Sequence, residues 1–137
     1  MKRKNILVLF IIAIAVGCMI FFLIPRNTSS TSVSATSFQI ISAEEAKSMM
    51  DDGNVTIVDV RRQDEYDAGH IPNAILIPNE SIGNTEIVEL PNKDAVILVY
   101  CRTGVRAKEA AGKLADLGYT NIYDFGGITT WPYDTVK

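Results

Sequence analysis

The residues of this chain best suited to chemistry are Cys101 and those that follow it. Cys101 directly follows an apolar, β-branched run, residues 95–100, which is typical of a buried strand, and it opens the loop 101–106. A glycine-containing loop between a strand and a helix turns backbone N–H groups inward and adds the positive end of the helix dipole. Arg102 and Arg106 strengthen this positive field. The pattern predicts a reactive thiolate at Cys101; the alternative is a small buried side chain that ends a core strand.

A second group of polar residues follows the predicted strand 55–60. Active sites of open α/β sheets form at the carboxyl ends of the strands, and Asp59 lies at such an end. One interpretation is that Asp59 accepts hydrogen bonds from the loop 101–106, while Arg61 pairs with Glu65 near the entrance of the site. The other is that these residues pair with neighbours and fix a turn. Asp59, Arg61 and Glu65 are therefore predicted to support the site.

Other cysteine chemistries lack their partners in this sequence. A cysteine hydrolase needs a histidine base beside the nucleophile, and the chain has one histidine, His70. One histidine and one cysteine in the domain make a poor ligand set for a metal. A thioredoxin-like redox pair needs a Cys-x-x-Cys motif, which the chain does not contain. We therefore expect no metal site and no redox pair.

The elements that must position these residues alternate along the chain. Ser42 and Glu45 form a capping-box pattern, which predicts a helix that starts after Ser42 and ends near Gly53. Strands are expected at residues 55–60, 74–77, 95–100 and 121–125, and a helix is expected at residues 105–117. Strands that alternate with helices predict an α/β domain with a mainly parallel sheet.

The charged residues are unevenly distributed along the chain. Residues 1–26 hold four basic residues and no acid, whereas the remainder holds nine basic and 16 acidic residues. A nucleic-acid role is disfavoured, because binding to phosphates needs a basic face. Two cysteines are too few for a disulfide framework, and Cys18 is far from Cys101 in sequence, so Cys101 is expected to be a free thiol.

The amino-terminal segment is predicted to meet a membrane. Residues 6–24 form an unbroken apolar run of 19 residues after Lys2, Arg3 and Lys4. As a helix, this run would span about 28 Å, close to the hydrocarbon thickness of a bilayer. The positive-inside rule then places the domain outside the cytoplasm, at the bacterial cell surface or in the periplasm.

Three fates of this segment remain open. An uncleaved signal anchor, residues 1–25, explains the whole apolar run. A lipoprotein signal would instead make a lipidated Cys18 the new amino terminus, and ordinary cleavage after Ala35 would remove the segment. Residues 26–37 contain eight Ser or Thr and are predicted to be a flexible linker, which leaves residues 38–137 as the domain.

The domain resembles a single-domain rhodanese in several motifs that occur in the expected order. The matching segments are Val58-Asp59-Val60-Arg61 (family DVR), Glu65-Tyr66 with Gly69-His70-Ile71-Pro72-Asn73-Ala74 (family E-F/Y and GHIPGA), Ile77-Pro78, Tyr100-Cys101 with the loop, Gly126-Gly127 and Trp131. The departures are Asn73, where the family more often has Gly, and the short connection formed by residues 79–94. The set of motifs covers about 100 residues.

This resemblance implies a rhodanese-like α/β fold, in which helices flank both faces of a mainly parallel central sheet. It implies a sulfurtransferase without a cofactor, in which Cys101 attacks a sulfane donor such as thiosulfate, releases sulfite and carries a persulfide. Its Cys-Arg-x-Gly-Val pattern resembles the thiosulfate-preferring loops of the family. His70 would hold a turn. The active loop, which would bind the donor and stabilise the persulfide, consists of Arg102, Thr103, Gly104, Val105 and Arg106.

The expected partners are a small anionic sulfur donor, a thiol or cyanide acceptor and a membrane, with no nucleic acid, and the domain is expected to be monomeric. A function of another class is a non-enzymatic rhodanese module that binds a protein at the outer membrane face. Such modules usually lack the cysteine or degrade the loop, which here keeps Cys101, Gly104 and Arg106. A cysteine phosphatase or arsenate reductase is disfavoured, because four residues separate Cys101 from Arg106, one fewer than in phosphatase loops of related fold.

Overall fold

A five-stranded sheet forms the centre of the domain in the computed structural model, which describes residues 37–83 and 85–137. The strands are β1 (Gln39–Ile40), β2 (Thr56–Asp59), β3 (Ile75–Leu76), β4 (Val96–Cys101) and β5 (Asn121–Gly127). They lie in the order β1-β5-β4-β2-β3, and every neighbouring pair is parallel. The predicted α/β fold with a parallel sheet is confirmed, and β4 lies at the middle of the sheet.

The helices in the described residues are α1 (Ala43–Asp52), α2 (Gln63–Ala68) and α3 (Val105–Asp116), with short 3-10 helices at Asn79–Ser81 and Ile128–Thr130. The capping box of α1 is confirmed. The Ser42 hydroxyl accepts the Glu45 N–H at 3.1 Å, and the Glu45 carboxylate accepts the Ser42 N–H at 2.8 Å. Gly53 ends α1 with a φ of 93°, a left-handed conformation that glycine adopts without steric cost.

Helices cover both faces of the sheet, as the resemblance implies. Successive side chains of a strand point to opposite faces, so the two faces of β4 have different neighbours. The face that carries Ile97 and Val99 packs against small and apolar side chains of α3, namely Ala107, Ala110, Ala111 and Leu114. The face that carries Leu98 and Tyr100 packs against Ala46 of α1. Burial on both faces explains why β4 is a continuous apolar run.

The predicted elements are present, but several of their ends differ. The strand predicted at residues 74–77 has two residues, β4 continues to Cys101, and β5 continues to Gly127. The sequence does not predict β1, because it is two residues long and Ile40 is 70% exposed, so it lacks the pattern of a buried strand. Likewise, the six residues of α2 are too few for a helical period to stand out.

The predicted membrane segment lies outside the described residues, as do Cys18 and the cleavage site after Ala35. Of the predicted linker, residues 26–37, only the last residue is described. Within the described part of the chain, no helix combines the length and apolar character needed to cross a bilayer.

Candidate active site

Cys101 lies at the carboxyl end of β4, between the ends of β2 and β5. It is 1% exposed, and its Sγ accepts a hydrogen bond from the N–H of Gly104 at 3.0 Å. A donor that points at the sulfur stabilises negative charge there, because a thiolate is a hydrogen-bond acceptor. The structure therefore brings two residues of the predicted site, Cys101 and Gly104, into contact.

The residues after Cys101 form a tight turn that leads into α3. Gly104 caps the amino terminus of α3 with a φ of 104°, a conformation that strongly favours glycine. The first N–H groups of this 12-residue helix lie at the loop, where their partial positive charge favours an anion. Three side chains of the loop are exposed to solvent: Arg102, Thr103 and Val105.

Glu65 of α2 holds Arg106. The Nη1 and Nη2 atoms of Arg106 donate to the two Glu65 carboxylate oxygens at 2.7 and 2.9 Å. Arg106 lowers the pKa of Glu65 to about 2, and the hydrogen bond and attraction to Glu65 raise the pKa of Arg106 in turn. The predicted pairing of Glu65 with Arg61 is wrong, because the first turn of α2 lies beside the first turn of α3.

Asp59 and Arg61 form a buried ion pair at the end of β2. They are 0% and 5% exposed, and Nη2 of Arg61 donates to Oδ2 of Asp59 at 2.7 Å. The backbone N–H and Nε of Arg61 also donate to Asp59, and Nη2 donates to the carbonyl oxygen of Gly69 at 2.8 Å. Burial disfavours the charged form of Arg61, but its hydrogen bond and attraction to Asp59 raise its pKa overall.

The interpretation in which Asp59 braces the active loop is wrong. Among the hydrogen bonds of residues 37–83 and 85–137, none joins Asp59 to the loop, because the donors of Arg61 occupy its carboxylate. The alternative, in which Asp59 and Arg61 pair with a neighbour and fix a turn, is confirmed. Through Gly69, this pair ties the end of β2 to the turn that follows α2.

His70 lies in that turn and makes structural contacts, as the resemblance implies. Its ring stacks on Tyr66 with 3.7 Å between the ring centroids, and its Nδ1 lies 3.0 Å from the Tyr66 carbonyl oxygen. Its backbone exchanges two hydrogen bonds of 2.8 Å with Val136. His70 therefore joins the turn after α2 to the carboxyl-terminal segment.

The end of β5 contains a bulge beside the active loop. Val99 pairs with Asp124 but Cys101 pairs with Gly127, so β5 has one residue more than β4 over this stretch. Gly126 lies in the bulge with a φ of 87°, and its N–H donates to Oδ1 of Asp124 at 2.9 Å. Bulges bend a strand and are common next to active sites. This one carries the end of β5 against the loop.

Gly127 and Thr129, for which the sequence predicts no role, contact the loop backbone directly. A Cβ on Gly127 would lie 2.2 Å from the carbonyl oxygen of Arg102, so only glycine fits there. The same oxygen accepts hydrogen bonds from the N–H and Oγ1 of Thr129 at 3.2 and 2.9 Å. The sequence does contain a signal for Gly127, because it belongs to the Gly126-Gly127 motif of the family. Nothing in the sequence marks Thr129, because its contact joins residues 27 positions apart.

A cavity of about 490 Å³ lies on the face of the sheet that carries α1. Its apolar lining includes Met50, Ile57, Ile71, Trp131 and Tyr133. Trp131 packs against Phe125, with 5.5 Å between ring centroids. Neither Cys101 nor any residue of the active loop lines this cavity, so the chemistry of the loop does not extend to it.

The loop offers a nucleophile, the Gly104 N–H directed at its sulfur, the amino terminus of α3 and two guanidinium groups. This set can bind a small anion and stabilise negative charge on a sulfur atom. Within the described ranges, no three His, Cys, Asp or Glu side chains are grouped so that they could hold a metal ion. The arrangement is therefore suited to nucleophilic chemistry on an anionic substrate.

Comparison with known proteins identifies relatives of the domain. A family model for the rhodanese-like domain matches residues 42–132, which include the loop and all three α-helices. A thiosulfate sulfurtransferase GlpE of Coxiella burnetii is 33% identical over 95 residues, which are 69% of this chain and 87% of that protein. A tRNA uridine(34) hydroxylase of Photorhabdus laumondii is 32% identical over 96 residues, which are 66% of this chain. The chain spans only 27% of the length of that hydroxylase.

The fold is also similar to solved structures. A rhodanese-related protein from Thermoplasma volcanium is 29% identical, with a TM-score of 0.61, and the match covers 72% of this chain and 97% of that one. The similarity therefore spans nearly the whole of that solved chain.

Proposed function

Because the chain belongs to the rhodanese-like domain family, we propose that it is a sulfurtransferase that carries sulfane sulfur as a persulfide on Cys101. The observation that carries the proposal is the Gly104 N–H directed at the Cys101 sulfur, 3.0 Å away, at the amino terminus of α3. The match to the thiosulfate sulfurtransferase of Coxiella burnetii covers 87% of that protein, which supports thiosulfate as the donor.

In the first step the Cys101 thiolate attacks the outer sulfur of thiosulfate. A bond forms between Sγ and that sulfur, the sulfur–sulfur bond of thiosulfate breaks, and its electron pair leaves with sulfite. The product is a persulfide with one negative charge, so atoms and charge balance. Backbone N–H groups of the loop stabilise the charge on the terminal sulfur, where it develops in the transition state.

In the second step an acceptor takes the outer sulfur. A thiolate or cyanide attacks the terminal sulfur of the persulfide, and Cys101 leaves as a thiolate, ready for another cycle. Cys101 is the only cysteine in residues 38–137. The acceptor is therefore a second molecule, and it approaches past the exposed side chains of the loop.

The two arginines of the loop have different roles in this proposal. Arg106 shares its charge with Glu65 in an ion pair of 2.7 Å, so its main role is to fix the loop against α2. Arg102 is exposed and forms no ion pair with any of the described residues. Its unshared charge attracts the anionic donor and helps sulfite to leave.

Intact mass spectrometry of the full chain tests the proposal. After incubation with thiosulfate, the wild type is expected to gain the mass of one sulfur atom and to lose it when cyanide is added. Cys101→Ser, which keeps Cys18, is expected to gain nothing. If a folded wild type gains no sulfur from thiosulfate or from other sulfane donors, sulfur transfer is refuted and a partner-binding module is favoured.

We also propose that residues 1–25 anchor the domain at the outer face of the cytoplasmic membrane and that residues 26–37 act as a tether. The apolar run of 19 residues and its basic amino-terminal flank support this location. The mass of the membrane-extracted protein distinguishes the anchors. An intact chain supports a signal anchor, a lipidated Cys18 terminus supports a lipoprotein, and a soluble protein cleaved after Ala35 refutes both.

A further inference from the structure

The carbonyl oxygen of Arg102 is held on the outer side of the active loop by the end of β5. It accepts two hydrogen bonds from Thr129, one from the backbone N–H at 3.2 Å and one from Oγ1 at 2.9 Å. Gly127 lies so close that a Cβ there would be 2.2 Å from this oxygen. The Arg102–Thr103 peptide group is therefore fixed by a residue that is not part of the loop.

The direction of this carbonyl determines the direction of the next N–H. No cis peptide bond occurs among the described residues, and in a planar trans peptide the C=O and N–H groups point in opposite directions. With the Arg102 oxygen turned toward Thr129, the N–H of Thr103 points away from β5. The next N–H, that of Gly104, donates to the Cys101 sulfur at 3.0 Å. Successive N–H groups of this kind form a concave anion site.

We propose that Thr129 is a positioning residue for the active loop. Its hydroxyl keeps the Arg102 carbonyl outward, so that the Thr103 N–H is available to the negative charge on the outer sulfur of the Cys101 persulfide. If the peptide flipped, a carbonyl oxygen would replace this donor and would repel the thiolate and the persulfide. The identity of the anion rests on the proposed sulfurtransferase function, whereas the orientation of the peptide does not.

Three variants of the full chain separate this role from a general structural one. Thr129→Val keeps the shape of the side chain and removes the hydroxyl, and Thr129→Ser restores the hydroxyl. Thr130→Val is the matched control, because the Thr130 hydroxyl also donates to a backbone carbonyl, that of Gly127 at 3.1 Å, but forms no hydrogen bond with any described residue of the loop.

All three substitutions leave the charges near the loop unchanged. The charged side chains nearest to it on the surrounding elements are Asp59 and Arg61 at the end of β2, Glu65 of α2, Glu80, Arg102, Arg106, Lys108 and Asp124. A change in the reactivity of Cys101 among these variants therefore reports on the orientation of backbone dipoles rather than on a lost or gained charge.

Two measurements are made on each variant. The rate of alkylation by iodoacetamide is recorded against pH by mass spectrometry of the peptide that contains Cys101. The rate of persulfide formation is recorded in a single turnover with thiosulfate. For Thr129→Val we expect the midpoint of the alkylation profile to rise by about half a pH unit and persulfide formation to slow by about three- to tenfold, the effect of one lost hydrogen bond.

Wild-type behaviour in Thr129→Ser and Thr130→Val, together with the shift in Thr129→Val, supports the proposal. The proposal is overturned if Thr129→Val and Thr130→Val have the same alkylation profile against pH. It is also overturned if Thr129→Ser shifts the midpoint of that profile as much as Thr129→Val does. If the wild type forms no persulfide with any sulfane donor, the proposed function fails. The alkylation profiles then still decide whether Thr129 orients the peptide.

Discussion

Replacing Glu65 with Gln is expected to weaken the attachment of α2 to the active loop. The substitution keeps the size of the side chain and removes the negative charge that faces Arg106. The ion pair that is lost has N–O distances of 2.7 and 2.9 Å, and the side chains of Arg106 and Glu65 are 26% and 15% exposed. Because both partners are mostly shielded from water, the loss is expected to exceed that of an ordinary surface pair.

The size of the loss can be worked from the pKa of Glu65, which Arg106 lowers from 4.5 to about 2. One pKa unit corresponds to about 1.4 kcal/mol, so the charge of Glu65, which the Arg62 N–H and Arg61 also stabilise, contributes at most about 3.4 kcal/mol at neutral pH. Water still reaches part of the pair and screens it. We therefore expect Glu65→Gln to lower the free energy of unfolding by about 1 to 2 kcal/mol.

The contribution of this pair should depend on pH in one direction. Glu65 has a lower pKa in the folded state than in the unfolded state, so between these values the unfolded state binds more protons. The stabilisation is present above the unfolded value of 4.5 and is lost as the pH falls toward 2. Wild type and Glu65→Gln should differ fully at pH 7 and by less than half of that amount at pH 3.

Urea unfolding at these two pH values, followed by the fluorescence of Trp131, the only tryptophan, measures the difference. Glu109→Gln is the control, because it removes the same charge from a pair with Lys113 in which the Glu109 side chain is 56% exposed. Its effect is expected to be much smaller. Equal losses in the two variants would refute the reasoning, and so would a Glu65→Gln effect that is the same at both pH values.

Two further substitutions test other contacts. Arg61→Met leaves the buried carboxylate of Asp59 without its partner and should lower the free energy of unfolding by about 3 to 5 kcal/mol. Arg62→Met is the control: its side chain is 69% exposed, and the free energy of unfolding should change by less than about 1 kcal/mol. Similar losses of this free energy in the two variants, measured by urea unfolding, would contradict the role assigned to the Asp59–Arg61 pair. Gly127→Ala places a Cβ against the loop and should slow single-turnover persulfide formation by at least about tenfold. Gly112→Ala is the control, because its added Cβ has nothing within 4 Å, and it should leave that rate unchanged. Equal rates of persulfide formation in Gly127→Ala and Gly112→Ala would contradict the prediction, because they would show that the loop tolerates a Cβ at residue 127.

The position of Cys101 could be predicted because two strong local patterns meet there. β4 is six residues long and apolar throughout, and α3 has 12 residues with small and apolar side chains on one face. The apolar pattern changes from that of a buried strand to that of a helix between these elements, and this change locates the loop to within about one residue. Since parallel strands end at the same edge of a sheet, the prediction that the loop lies beside the ends of other strands followed from the same patterns.

The partners of the charged residues could not be predicted, because they depend on contacts across the fold. Glu65 has Arg61 four residues before it and Arg106 41 positions after it, and the two arginines offer the same charge. Only the folded chain, which brings the first turn of α2 within reach of the Arg106 side chain, selects Arg106. By contrast, Asp59 pairs with Arg61 only two positions away, and one of the two interpretations of the sequence is that both residues pair with neighbours.

The order of the strands has a consequence for the synthesis of the protein. β5 is the last strand along the chain, yet it lies between β1 and β4 in the sheet. At a translation rate of about 5–20 residues per second, Thr129 is added a few seconds after Cys101. Until β5 is in place, β4 has an open edge and the loop lacks the contacts of Gly127 and Thr129. Cys101 is therefore synthesised before the residues that complete its site. When β5 pairs with β1 and β4, it fills the gap in the sheet and brings Gly127 and Thr129 against the loop.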